Sequence, residues 1–154
     1  MKRRVKVYLD TSVYNRPFDD QSQSRVRLEA EAFLSILEKA VSGAISILGS
    51  SALLYENSRN PFADRKERVS SYLAIASKVI MTSDSIKKRA VSLELLGIGP
   101  LDALHLACAE DGGAEYFVTC DYAIIKKAKK DQTVVRMLVC NPLEFVLEEV
   151  FKNA

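Results

Sequence analysis

No stretch of this chain is long and apolar enough to cross a bilayer. The longest run without a charge, Ala40 to Tyr55, is 16 residues and contains Gly43, Gly49 and four serines, short of the roughly 20 mostly apolar residues of a transmembrane span. No secretory signal is expected either, because the basic start Lys2-Arg3-Arg4 leads into an apolar stretch that Lys6 interrupts and Asp10 ends. Cysteine is scarce. Cys108, Cys120 and Cys140 are odd in number, widely spaced and set in apolar segments, with no CxxC pair and no neighbouring histidine, which argues against a zinc site and reads as reduced core thiols in a cytoplasmic protein. An excess of one charge is missing too. With 22 Lys+Arg against 20 Asp+Glu the formal charge is +2, so the overall balance by itself points to no polyanionic partner. The sequence holds no GxxxxGK[ST] loop and no GxSxG elbow, and Gly97-Ile98-Gly99 lacks the rest of a dinucleotide fingerprint. Asp10-Thr11-Ser12 lacks the second aspartate, two residues on, of a phosphoaspartate-type phosphatase. No linker, repeat or low-complexity segment divides the chain.

What is present fits one globular domain over residues 1–154, since 48% hydrophobic and 27% charged residues are ordinary for a chain that buries roughly 68–70% of its unfolded surface. Val5, Val7, Tyr8 and Leu9 make a β-rich run ending at Asp10, and polar residues 15–25 read as a loop. Phe33, Ile36, Leu37, Ala40 and Val41 mark one face of a helix from about Arg25 to Val41. A second strand spans Ile45 to Leu48, and Ser50 or Ser51 caps a short helix that Asn60-Pro61 breaks. Residues 64–77 read as a helix, Val79 to Met81 as a third strand, and Thr82-Ser83-Asp84-Ser85 as the cap of a helix running to about Leu96. Pro100 opens a helix that runs to Asp111 and that Gly112-Gly113 ends. Tyr116 to Thr119 form a fourth strand, followed by a Lys-rich helix to Lys130, a fifth strand over Val134 to Val139, and a closing amphipathic helix after Asn141-Pro142. Strands alternating with helices predict an α/β fold, a three-layer α/β/α sandwich around a parallel sheet of about five strands. In such sheets ligands bind outside the carboxyl ends of the strands.

Four acids fall at those handovers: Asp10, Glu56, Asp102 and Asp121. Singly, each has a local explanation, as a helix cap, a first-turn acid or a solvated helix residue. Their settings, Val7-Tyr8-Leu9-Asp10, Leu53-Leu54-Tyr55-Glu56, Pro100-Leu101-Asp102-Ala103 and Phe117-Val118-Thr119-Cys120-Asp121, are apolar, where a charge is costly. At ~4 Å and an effective dielectric near 20, each like-charged pair costs on the order of 4 kcal/mol, so gathered carboxylates want a cation or a proton. Ligation by carboxylates alone favours Mg²⁺ or Mn²⁺ over zinc, ions that clamp phosphates and activate water. His105, one turn after Asp102, sits in a nearly all-apolar helix and reads as a buried, satisfied histidine before it reads as a general base. Lys126, Lys127, Lys129 and Lys130 form one basic cluster, Lys87, Lys88 and Arg89 another, and Arg16, Arg59 and Arg65 fall near the acids. They are either solvated helix faces or an RNA-backbone contact.

The segments Asp10-Thr11-Ser12, Glu56 after Leu53-Leu54-Tyr55, Gly97 through Ala107, and Phe117 through Asp121, in this order and with the closing Asn141-Pro142-Leu143-Glu144-Phe145, resemble the PIN domain family, in particular its stand-alone VapC-like toxin nucleases. The resemblance implies a Mg²⁺- or Mn²⁺-dependent ribonuclease with Asp10, Glu56, Asp102 and Asp121 as the metal-binding and catalytic quartet. It also implies supporting hydroxyls at Ser12 and Thr119, and Arg16, Arg59, Lys126 and Lys127 are expected to meet the substrate. It further implies a small antitoxin partner, a homodimer and a cytoplasmic location. Many members carry a further acid two residues past the fourth carboxylate; Ala123 stands there, implying one resident ion and a second recruited by substrate phosphate. A catalytically inactive PIN-like RNA-binding or scaffold module and a Mg²⁺-dependent phosphatase are the alternative readings.

Overall fold

The computed structural model describes residues 4–131 and 133–150. Five parallel strands, β1 (Val5–Leu9), β2 (Ile45–Ser50), β3 (Lys78–Ile80), β4 (Tyr116–Val118) and β5 (Leu138–Cys140), form one sheet in the order β3-β2-β1-β4-β5. The central strand is β1, with Tyr8 in register with Leu48 on one side and Phe117 on the other. Val7, Tyr8 and Leu9 are all fully buried. A parallel strand covered on both faces reads as a continuous apolar run, which is why this segment ends so sharply at Asp10.

The main helices are α1 (Thr11–Asn15), α2 (Ser24–Val41), α3 (Ser51–Ser58), α4 (Ala63–Leu73), α5 (Asp84–Leu95), α6 (Pro100–Asp111), α7 (Tyr122–Lys130) and α8 (Pro142–Phe145). They cover the sheet and complete the expected α/β sandwich. Asp10, Ser50, Ser83, Asp121 and Asn141 each accept a backbone N–H at the start of a helix, as capping residues do. Three helices thus begin on a side chain at or just beyond the end of β1, β2 or β4. No helix among the described residues is long and apolar enough to cross a membrane.

Three local expectations are corrected. The segment 15–25 read as a loop is helical at both ends: Asn15 closes the unforeseen α1, Arg16–Phe18 form a 3₁₀ turn, and α2 begins at Ser24; α1 owes its existence to the Asp10 cap and to Asn15 Nδ2, which donates to the Thr11 carbonyl. The helix expected over 64–77 ends at Leu73, because Ser77 N donates to the Ile47 carbonyl and draws the chain onto β2. The fifth strand is shorter than its alternation suggests. Val135, Met137 and Val139 are buried, yet pairing begins only at Leu138, whose N–H meets the Glu115 carbonyl, and Asp131 Oδ1 holds residue 133 in a turn. The closing helix runs from α8 into a π-helical turn, Val146–Val150.

Candidate active site

The backbone of Asp10 extends the ladder by one bond, its N–H reaching the Val118 carbonyl at 3.1 Å. Its carboxylate is only 4% exposed. Oδ1 accepts the Ser12 hydroxyl at 2.5 Å and the Val13 N–H at 3.4 Å. Ser12 Oγ accepts the Cys120 N–H at 3.0 Å and lies 3.5 Å from Thr119 Oγ1, which accepts the Asp121 N–H at 3.1 Å. The ends of β1 and β4 are therefore laced together by two hydroxyls, and Asp10 and Asp121 hang from the same lacing. Asp121 is exposed and holds the first turn of α7 through Ala123 N at 2.9 Å.

Burial pushes the Asp10 carboxyl up to about 6; the Ser12 and Thr119 hydroxyls and His105 oppose it, and the charge of Asp102 adds to it. Asp102, half-buried in the first turn of α6, is also raised, by burial first and then by the charge of Asp121, with Glu56 adding and His105 and Lys127 opposing. At Glu56 burial works upward as well, but the bonds from His105 and Thr11 outweigh it and hold this carboxyl below its usual range. Thr11 Oγ1 donates to Glu56 Oε1 at 2.7 Å, and His105 Nε2 is bonded to the same oxygen. Asp102 thus feels both Glu56 and Asp121, and Asp10 feels Asp102. The four acids share one rim electrostatically.

Among the described residues no three acidic, cysteine or histidine side chains form a ready-made cation cage. The donor set nonetheless fits a hard divalent ion. It is all oxygen, and two of its carboxyls, Asp10 and Asp102, are pushed up by burial and by the charge of neighbouring carboxylates, a burden that a cation relieves. Magnesium suits such an open arrangement because it keeps several of its own waters.

The basic residues divide. Arg16 points its Nε and Nη2 at Glu29 Oε1, at 3.0 and 2.7 Å, and its Nη1 at Asp19 at 3.2 Å. Lys127 Nζ is bonded to the Gly97 carbonyl, beside the loop that leads into Asp102. Arg59 follows α3 with its guanidinium 5.9 Å from the centre of the Tyr55 ring, and Lys126 is exposed on α7. Arg65 donates to the Phe18 carbonyl at 2.9 Å, Arg89 forms an ion pair with Glu110, and Lys129 pairs with Glu144.

The sequence reading passed over Glu29, which is fully buried in α2. Arg25, one turn earlier, approaches it at 3.3 Å, donates to the Cys120 carbonyl at 2.9 Å and lies 3.7 Å from the centre of the Tyr122 ring. This knot fastens α2 to the turn that carries Asp121. Its sequence signal was an acid four residues before Phe33 and seven before Ile36, on the apolar stripe of the helix. His105 is the buried, bonded histidine expected, 2% exposed, and one of its bonds runs to a site carboxylate.

A model of the PIN domain matches residues 7–130. No match is found among curated protein sequences. Of solved structures, VapBC2 from Rickettsia felis, crystallised with a DNA fragment from its promoter, is similar at a TM-score of 0.60 and 18% identity, over 89% of this chain and 98% of that one. PAE2754 from Pyrobaculum aerophilum is similar at a TM-score of 0.55 and 15% identity, over 94% of this chain and 96% of that one.

Proposed function

Because the chain belongs to the PIN domain family of nucleases, we propose that it is a divalent-metal-dependent endoribonuclease, acting as one domain over residues 1–154, and the toxin of a toxin–antitoxin pair. The observation that carries this reading is the rim of four acids, with Asp10 buried at the end of the central strand. Asp10, Glu56, Asp102 and Asp121 would hold Mg²⁺ or Mn²⁺. When bound, such an ion shields charge on a phosphodiester and makes water more acidic. The protein's own part is placement. Ser12 fixes Asp10, Thr11 and His105 fix Glu56, and Thr119 and the α7 backbone fix the turn of Asp121. Because these anchors are backbone amides, hydroxyls and one buried imidazole, little reorganisation is left for the reaction to drive.

Lys126, Lys127 and Arg59 are the cations we assign to the RNA backbone, whereas Arg16 serves Glu29 first. The assignment predicts that RNA affinity falls steeply between about 50 and 200 mM salt, by roughly tenfold or more if two to three phosphates are neutralised. Affinity flat over that range would remove these residues from the interface. Similarity to a VapBC complex supports a small antitoxin as partner, and family resemblance supports a homodimer working in the cytoplasm.

The direct test is cleavage of assorted RNAs with Mn²⁺ or Mg²⁺, with and without chelator, beside a small phosphoester. RNA cleavage that chelator stops supports the proposal. Cleavage indifferent to chelator refutes the metal role, and hydrolysis of the phosphoester alone favours a phosphatase.

A further inference from the structure

From the buried face of the sheet to the rim runs an unbroken line of polar side chains. Ser50 Oγ, which caps α3 by accepting the Leu53 N–H at 3.1 Å, lies 2.7 Å from Tyr8 Oη. Tyr8 Oη lies 2.6 Å from His105 Nδ1. His105 Nε2 meets Glu56 Oε1, the oxygen that Thr11 also engages. Tyr8 and His105 are 0% and 2% exposed, and Ser50 is 1% exposed, so water does not complete these bonds, and each proton in the line must find its acceptor within it.

Only one direction satisfies all of them well. Glu56, a carboxylate, accepts; His105 must then donate from Nε2. Its Nδ1 is free to accept the Tyr8 hydroxyl, and Tyr8 Oη in turn accepts the Ser50 hydroxyl. Run backwards, Ser50 would have to give its proton to the neighbouring Cys108 thiol, a weak acceptor. We propose that His105 is a positioning residue, set in its Nε2–H tautomer by Ser50 and Tyr8, that pins Oε1 of Glu56 and leaves Oε2 as the oxygen offered to a divalent cation. The proposal rests on the metal-dependent reading for its last clause alone; the direction of the line is a property of the metal-free protein.

The chain has one histidine, so ¹⁵N spectra of its imidazole are unambiguous. In metal-free protein, Nδ1 is expected as an unprotonated, pyridine-type nitrogen and Nε2 as a protonated one. Tyr8→Phe removes a single oxygen and keeps the ring stacked on Phe117. It should disturb that tautomer and weaken Mn²⁺ binding in calorimetry by about 10- to 100-fold, the range for losing a group that orients a ligand. His105→Ala should weaken Mn²⁺ binding to the same extent, while His105→Gln, whose amide can still donate to Glu56, should recover most of the affinity. A protonated Nδ1 in the wild-type protein overturns the proposal, as does a Tyr8→Phe protein that binds Mn²⁺ within twofold of wild type. Wild-type protein that binds no Mn²⁺ refutes the metal-dependent reading and with it the Oε2 clause, while the ¹⁵N spectrum still decides the direction of the line.

Discussion

Asp10→Asn is expected to abolish RNA cleavage and, in the same molecule, to raise the melting temperature. The loss follows from removing a charged carboxylate, proposed as a metal ligand, from the end of the central strand. If the cation's stabilisation of the transition state is worth about 4 kcal/mol, cleavage falls about 10³-fold. The gain follows from burial. The wild-type carboxyl is held at about 6 against an ordinary 3.8, a difference of on the order of 3 kcal/mol at neutral pH. The neutral amide avoids that cost, keeps an acceptor for Ser12, and adds an N–H₂ that must find a partner, so a net gain of about 1–2 kcal/mol is expected, or about 2–8 °C in Tm. The sign carries a pH signature. A raised carboxyl favours the protonated folded state, so wild type matches the variant below about pH 4, loses ground as the pH climbs to about 6, and stays behind above it. Thermal melts in chelator across that range, beside a cleavage assay, test both halves. An inactive but less stable variant at pH 7 would mean that the Asp10 charge is not a strain on the metal-free fold.

Arg16→Ala should cost the most stability of any single change on this face. Glu29 is fully buried, and Arg16 is the closer of its two cations, at 2.7 Å against 3.3 Å for the half-exposed Arg25. Stranding a buried charge costs about 3–5 kcal/mol; with Arg25 still in reach the lower figure, ~3 kcal/mol, applies, or about 6–12 °C in Tm. Replacing the pair together, Arg16→Met with Glu29→Leu, should recover most of the loss, since apolar residues of similar volume can substitute for a buried ion pair. Denaturant melts of both variants check this. A double variant no better than Arg16→Ala would show that Arg16 acts through Asp19 instead. RNA binding by the double variant then measures whether Arg16 also touches substrate.

Much of the fold was legible because its signals are local. Val7-Tyr8-Leu9 followed by Asp10 announces a buried strand and its end, and Ser50, Ser83 and Asn141 announce helices, since each signal lies within four residues of what it controls. The candidate quartet is drawn from the same short segments, whereas the order of strands in the sheet is set by pairings far along the chain. What was illegible depended on partners far along the chain. Helix α1 has five residues and no apolar stripe; it stands on the cap that Asp10 supplies and on packing against α2, α3 and α4. Arg16 reads as a substrate cation because Glu29 is 13 residues away, and nothing local points to Arg25, whose acceptor, the Cys120 carbonyl, is 95 away. The strand expected from Val134 shows the opposite failure: burial alternates there, but hydrogen bonding, which defines the strand, begins only where Leu138 N meets the Glu115 carbonyl.

The pairing of β1 with β4 also fixes when the site can exist. One edge of β1 pairs with β2, beginning at Val5 with Ile45, and can close early in synthesis. Its other edge, together with the Ser12 bond to Cys120, joins residues 108 apart, and a chain emerges from the ribosome at only about 5–20 residues per second. Until residues 116–121 have emerged, Asp10 has no Val118 carbonyl to extend its strand, no Thr119 hydroxyl beside it, and no Asp121 across the rim. A nascent or prematurely ended chain therefore carries Asp10 without the neighbours that bury and orient it. Under the proposed ribonuclease activity, an unfinished copy would lack the complete rim of acids until β4 is in place.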